Sequence, residues 1–261
     1  MKATLITGAS SGIGEAFARR LAEEKHDLVL VARSEDKLRE LRDELMAEYK
    51  ITAHYIAIDL TGFEADKQLF EETEKHGIEI DWLINNAGFG SMGDFAKLDL
   101  ERELQMIDLN VSCLVSLTHR YLQKMRERKS GTIINVSSAA GFQPIPFFAT
   151  YAATKAFVTS FSEAIAEENR PFGIHVMALC PGSTKTNFFE ASNIDRALKV
   201  KGQQTAEEVV ETALKGVSHG RSKIVSGWAN YVGAMMGTLA PNALTTRLIA
   251  KATRSRYQEK E

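Results

Sequence analysis

The chain has 261 residues, 44% of them hydrophobic and 25% charged, with a formal net charge of −2. Such a composition suits a globular protein with a full core, and the near balance of charge gives no electrostatic footprint for nucleic acid. Two cysteines, Cys113 and Cys180, imply no disulfide framework, and six scattered histidines show no metal-ligand spacing, so no metal is expected.

Met1–Ile6 runs straight into a strand and is too short and mixed for a signal peptide, so a cytoplasmic location is expected. Short apolar runs then alternate with amphipathic helical patterns. Strands are predicted at Ala3–Thr7, Leu28–Ala32, Thr52–Ile58, Ile80–Ile84, Thr132–Val136, Ile174–Leu179 and Lys223–Ser226. Helices fall between them, among them Lys37–Tyr49, with Leu38, Leu41 and Leu45 on one face, and a long one from Asp99 to Arg128. The charge runs Arg33–Glu48 and Glu64–Lys75 read as solvated helix faces. Near-continuous apolar strands joined by helical crossovers mean a parallel sheet covered on both faces. The fold predicted is a three-layer, doubly wound, Rossmann-like α/β sheet of about seven strands, with ligands beyond the carboxyl ends of the strands.

The first strand ends in Thr7-Gly8-Ala9-Ser10-Ser11-Gly12-Ile13-Gly14, and a helix follows at once. Glycines let the backbone approach a ligand, and a helix N-terminus offers free N–H groups and a positive dipole end to a pyrophosphate. The spacing departs from the general Gly-x-Gly-x-x-Gly fingerprint, and tight strand–helix packing also asks for glycine. Placement between strand one and a helix favours a cofactor. The second strand runs into Ala32-Arg33-Ser34. An acidic residue there would accept from ribose hydroxyls and repel a 2′-phosphate; Ala32 leaves room instead, and Arg33 offers a bidentate cationic fork. NADP(H) is therefore expected over NAD(H). The alternative is that Arg33 merely begins the solvated charge run.

Asn110 lies mid-helix, where asparagine is a poor residue and needs a hydrogen-bonding reason if buried. Tyr151 and Lys155 stand four apart in a helical pattern and so share a face. A nearby ammonium favours the phenolate, and the expectation is that Lys155 lowers the Tyr151 pKa toward neutrality, making it a general acid or base. Ser137 and Ser138 end the preceding strand and point opposite ways, so only one can face that site. Pro144 and Pro146 keep Gly141–Phe147 out of helix, as a loop at the site's mouth lined by Phe142, Phe147 and Phe148.

Thr7-Gly8-x-x-x-Gly12-Ile13-Gly14, Asn85-Asn86-Ala87-Gly88, Asn110, Ser138, Tyr151-x-x-x-Lys155 and Pro181-Gly182 together resemble the ordered motif set of the short-chain dehydrogenase/reductase family. The motifs run from residue 7 to 186, and the strand–helix alternation extends the likeness to about residue 227. In some NADP-preferring members of the family a basic residue precedes the second glycine; this chain has Ser11 there, so the NADP(H) preference rests on Arg33 and on the missing acidic residue. The resemblance implies a catalytic set of Asn110, Ser138, Tyr151 and Lys155, with Ser138 selected over Ser137. It implies that Asn110 kinks its helix and holds a water below Lys155, and that Lys155 also holds the nicotinamide ribose. Asp59 resembles the aspartate that meets the adenine amine, though it could equally cap the following turn. The implied cofactor contacts are Gly8, Ser10, Ser11, Gly12, Ile13, Gly14, Arg33, Asp59, Leu60, Asn86, Ala87, Gly88, Tyr151, Lys155, Pro181, Gly182, Thr184 and Thr186, the last on the nicotinamide carboxamide. Cys180 reads as a small buried hydrophobe.

The resemblance thus implies one dinucleotide-binding oxidoreductase domain over residues 1–261, with a substrate lid at about 187–202 and a C-terminal extension at 228–261. The expected reaction is NADPH-dependent, reversible reduction of a carbonyl, on a lipophilic ketone or aldehyde of 3-oxoacyl, steroid or retinoid type, with Tyr151 as general acid/base. The alternative is a non-catalytic NADP-binding redox sensor or scaffold. A homodimer or homotetramer is implied, paired through Asp99–Arg128 and Ala149–Asn169. Ile224–Thr246 carries no charge, yet its glycines, asparagines and Pro241 leave too little continuous apolar length to span a membrane. It reads as a pocket cover, an oligomer face or a membrane-surface contact, the first two favoured. Arg247–Glu261 is expected to fray.

Overall fold

Along β2 (Leu28–Ala32), Leu28 and Leu30 enter one core layer while Val29 and Val31 enter the other, and all four are fully buried. That is the signature of a strand covered on both faces. The computed structural model describes residues 1–192 and 203–257, so residues 193–202 of the expected lid lie outside the described residues.

Seven parallel strands form one sheet in the order β3-β2-β1-β4-β5-β6-β7. They are β1 (Lys2–Thr7), β2, β3 (Ala53–Ala57), β4 (Glu79–Asn85), β5 (Gly131–Val136), β6 (Ile174–Cys180) and β7 (Lys223–Val225). Among the described residues, the α-helices before the last strand are α1 (Gly12–Glu23), α2 (Glu35–Tyr49), α3 (Ala65–Lys75), α4 (Leu100–Ile107), α5 (Leu114–Arg128), α6 (Ala149–Asn169), α7 (Phe188–Ala191) and α8 (Ala206–Ser218). Phe17 and Leu21 of α1, Leu38 and Leu45 of α2 and Val209 of α8 fill one layer. Leu69 of α3, Tyr121 and Met125 of α5 and Ile165 of α6 fill the other. Each such fully buried side chain contributes about 1.5–3 kcal/mol relative to exposure. The predicted Rossmann-like architecture is therefore the one observed, with the winding reversing between β1 and β4, where a crevice opens at the strands' carboxyl ends.

Two segments differ from expectation. The long helix predicted from Asp99 to Arg128 is interrupted by a π-helical turn at Asp108–Cys113, which carries Asn110. Such a turn re-aims side chains inside an otherwise regular helix. The C-terminal tail does not fray at Arg247: after α9 (Trp228–Leu239), α10 (Asn242–Tyr257) stays helical, and its Tyr257 stacks on Phe147 with ring centroids 5.3 Å apart. That ring contact anchors the helix end which composition alone leaves loose.

Candidate active site

The turn after β1 is shaped by close approach. Gly8 and Gly12 take φ of +67° and +59°, and an added Cβ on Gly14 would overlap the Gly8 carbonyl oxygen. Ser11 is the N-cap of α1 but makes no side-chain cap, so the helix's first N–H groups stay available to an anion. Thr186, in the loop after β6, closes on this turn, its methyl 3.0 Å from where a Gly12 Cβ would sit. Ser10 is half-buried beside it, and Ile13 packs against the first core layer.

Asn86 ties β4 to β1. Its Nδ2 donates to the carbonyls of Thr7 at 2.9 Å and Gly8 at 3.3 Å, and the Asn86 and Ala87 N–H groups donate to the Thr7 hydroxyl. The Asn86 side chain is thus spent on the frame, and what it offers a ligand is a fixed backbone. Thr7 is a site residue beyond those the sequence predicts: its hydroxyl holds this junction, and its place directly before Gly8 is the signal for it. Gly88 lies where an added Cβ would stand 2.8 Å from Asn110 Oδ1 and 3.6 Å from Lys155 Nζ.

Asn110 is buried, and the π-helical turn aims its amide at one peptide. Nδ2 donates to the Phe89 carbonyl at 3.0 Å and to Thr154 Oγ1 at 3.2 Å, while Oδ1 accepts from the Phe89 N–H at 3.3 Å. Thr154 in turn donates to the Tyr151 carbonyl. Asn110 therefore joins the loop after β4 to the first turns of α6.

Ser137 and Ser138 part company as strand alternation requires. Ser137 is buried and held by the Lys155 carbonyl at 2.7 Å and by Thr159 at 2.6 Å. Ser138 is half-buried and accepts from the Ala140 N–H at 3.1 Å, and its hydroxyl lies near enough to Tyr151 to draw the phenol's pKa down. Phe148 stacks on Tyr151 at 4.4 Å and Phe188 lies tilted at 5.4 Å, so the phenol sits in an apolar, aromatic wall. Phe142 instead lies under Lys223, and Phe147 under Tyr257.

Lys155 is buried, and among the described residues its Nζ has one hydrogen bond, to the Val136 carbonyl at 2.8 Å. An ammonium has three protons to donate, so two remain for a ligand. The pKa expectation is corrected here. Burial pushes the Tyr151 phenol up to about 12, against the lowering effect of the neighbouring Ser138 hydroxyl, and the same burial pulls Lys155 down to about 8. Desolvation outweighs the attraction of an ammonium 5.7 Å from the ring centroid. At neutral pH the ligand-free pair is a neutral phenol beside a protonated lysine.

The remaining predicted contacts divide. Arg33 projects from the end of β2, its side chain 73% exposed and 3.9 Å from Asp59 Oδ2. Asp59 Oδ1 accepts from the N–H and hydroxyl of Thr61, which is the turn-capping geometry. Leu60 packs its side chain into the second core layer. Pro181 accepts from the Ala139 N–H at 2.8 Å, and the Thr184 hydroxyl donates to the Gly182 carbonyl at 3.1 Å. An added Cβ on Gly182 would overlap the amide of Asn230 in α9, which itself donates to Ser226 and Gln204. Asn230 and Gln204 carried no motif, and only their fold-level proximity reveals them as braces of this loop. Cys180 is fully buried and its thiol is raised to about 11, an inert side chain.

Glycine cradle, open helix N-terminus, exposed arginine and a buried lysine with two spare protons are the donor set a phosphorylated dinucleotide requires. Among the described residues no cluster of His, Cys, Asp or Glu could hold a metal ion, and no helix is long and apolar enough to cross a membrane.

Comparison with known proteins agrees with this geometry. The family described as short chain dehydrogenase matches over residues 2–197. A very-long-chain 3-oxoacyl-CoA reductase from Rattus norvegicus is 32% identical over 269 residues, covering 98% of this chain and 82% of its own. A short-chain dehydrogenase from Sphingobium yanoikuyae, solved in complex with NADPH, has a TM-score of 0.81 at 30% identity, with 100% of this chain and 98% of that one covered. A bulky-bulky ketone specific alcohol dehydrogenase from Comamonas testosteroni has a TM-score of 0.77 at 28% identity, with 100% and 96% covered.

Proposed function

The chain belongs to the short-chain dehydrogenase/reductase family of oxidoreductases, and from that premise we propose that it is an NADPH-dependent reductase of ketones on lipophilic molecules. The observation that carries the reading is the buried Tyr151 phenol in an aromatic wall, with the Lys155 ammonium 5.7 Å from its ring and the Ser138 hydroxyl beside it. Two neighbouring hydroxyls can both address the same carbonyl oxygen.

The glycine turn and the N-terminus of α1 would hold the pyrophosphate, Arg33 the 2′-phosphate, and Lys155 the nicotinamide ribose. Bound NADPH supplies the hydride to the carbonyl carbon. As negative charge develops on the oxygen, the neutral phenol of Tyr151 gives up its proton to it, and Ser138 donates a hydrogen bond to the same atom. The protonated Lys155 stabilises the phenolate left behind. Asn110 acts as a positioning residue, holding the Phe89 peptide and, through Thr154, the Tyr151 turn.

Phe148 and Phe188 flanking Tyr151 favour an apolar substrate, which agrees with the 3-oxoacyl thioesters and bulky ketones named for its relatives. The test is NADPH absorbance followed against 3-oxoacyl thioesters, ketosteroids, diketones and small aldehydes, with NADH in parallel. Turnover of a lipophilic ketone with NADPH above NADH supports the reading. NADPH binding without oxidation by any member of the panel would refute it.

A further inference from the structure

Helix α9 is turned inside out. Trp228, Tyr231, Val232, Met235, Met236 and Leu239 recur at helical spacing on one side of it, and every one is exposed, Trp228 and Leu239 at 79% and Met236 at 66%. The side that meets the protein is small instead: Asn230 on Gly182, buried Ala234, and Gly237 against Gln143. A helix that served only to close the fold would have the opposite arrangement. α10 continues this surface with exposed Leu244 and Leu248, among exposed Arg247, Lys251 and Arg254.

Charge separates along the same line. From Ile224 to Gln258 there are four cations and no acidic residue, so in a chain of net charge −2 this segment is +4 and the remainder is −6. An exposed apolar stripe bearing tryptophan and tyrosine, bordered by basic residues and free of acids, has the composition of an interfacial element. A second copy of the chain is the poorer occupant. A two-fold contact lays the same patch on itself, so the cations of α10 would face each other with no acid in the segment to pair them.

We propose that α9 and α10 form a docking face for an anionic lipid surface, lying on the bilayer rather than crossing it. The inner side of α9 braces the Gly182 loop through Asn230, so the docked helix is also part of the wall of the candidate active site. The docking itself does not depend on which substrate is turned over.

The test is sedimentation of the full chain with vesicles of phosphatidylcholine alone and of phosphatidylcholine with phosphatidylglycerol, at low and high salt. The chain should pellet with the anionic vesicles, and about tenfold less with neutral ones or in high salt. M236E/L239E and R247E/K251E/R254E should each reduce anionic binding by about tenfold, with circular dichroism unchanged. Equal sedimentation with both vesicle types, or with neither, would overturn the proposal. So would a lipid-free oligomer that M236E/L239E dissociates, since that result assigns the face to a second copy.

Discussion

The Lys155 ammonium lies 5.7 Å from the centroid of the Tyr151 ring and donates at 2.8 Å to the carbonyl of Val136. Both side chains are buried, and burial moves their pKa values in opposite directions, Tyr151 up to about 12 and Lys155 down to about 8. A neutral acid next to a cation is the protonation state that carbonyl reduction requires. The kcat/KM for reduction reports the free enzyme, so it should stay level below about pH 8 and fall above it as Lys155 loses its charge. In Lys155→Arg, whose guanidinium does not titrate, any residual activity should lack that limb. A flat wild-type profile through pH 10 would remove the Lys155 charge from the reaction.

The same group leaves a mark on stability. Lys155 titrates near 8 when folded and at about 10.4 when unfolded, so between those values the unfolded chain binds more protons and stability rises with pH. Tyr151 acts in the opposite sense from about pH 10 to about 12, where the folded chain keeps its phenol proton longer. Urea unfolding at pH 7, 8.5 and 9.5 should show the wild type gaining on Lys155→Met as pH rises. A constant difference between the two would mean that Lys155 is not depressed in the folded state.

Arg33 is exposed at the end of β2, its guanidinium loosely paired with Asp59 at 3.9 Å. Arg33→Asp should weaken NADPH by about 10- to 100-fold, the worth of a charge-assisted contact plus a new repulsion, with NADH changed far less. Fluorescence titration of both nucleotides measures it. An unaltered ratio would assign the 2′-phosphate to another group.

Gly182 and Asn230 are 48 positions apart, yet a single methyl on the first would overlap the second. Gly182→Ala should raise the Kd for NADPH by about tenfold, in keeping with the 1–3 kcal/mol cost of overpacking. Gly182→Ala/Asn230→Ala should recover most of that loss, which a general requirement for glycine at the loop would not allow. Failure of the second change to rescue would separate α9 from the cofactor loop.

Much of this architecture is legible in the sequence. Continuous Val, Leu and Ile runs gave the parallel strands, and strand alternation separated Ser137 from Ser138 once a family pattern chose between them. Composition could show that Ile224–Thr246 was apolar, but not that α9 keeps its small residues inside and its large ones out. The Tyr151 shift runs opposite to the sequence expectation because a sequence shows the neighbouring lysine and hides the burial that raises the phenol. The roles of Thr7, Gln204 and Asn230 are not legible in the sequence because their work is done across long separations in the chain. The tail reads as loose in the sequence because nothing in its mixed charge foretells the Phe147–Tyr257 stack.

The central claim is that the phenol of Tyr151 delivers the proton while Ser138 and Lys155 hold it ready. It is tested most directly by Tyr151→Phe, which removes one oxygen atom and keeps the ring between Phe148 and Phe188. Single-turnover oxidation of pre-bound NADPH by a reactive ketone should slow by about 10²- to 10⁴-fold, with the NADPH dissociation constant within about twofold of wild type. Oxidation at the wild-type rate, with the nucleotide equally well bound, would contradict the account.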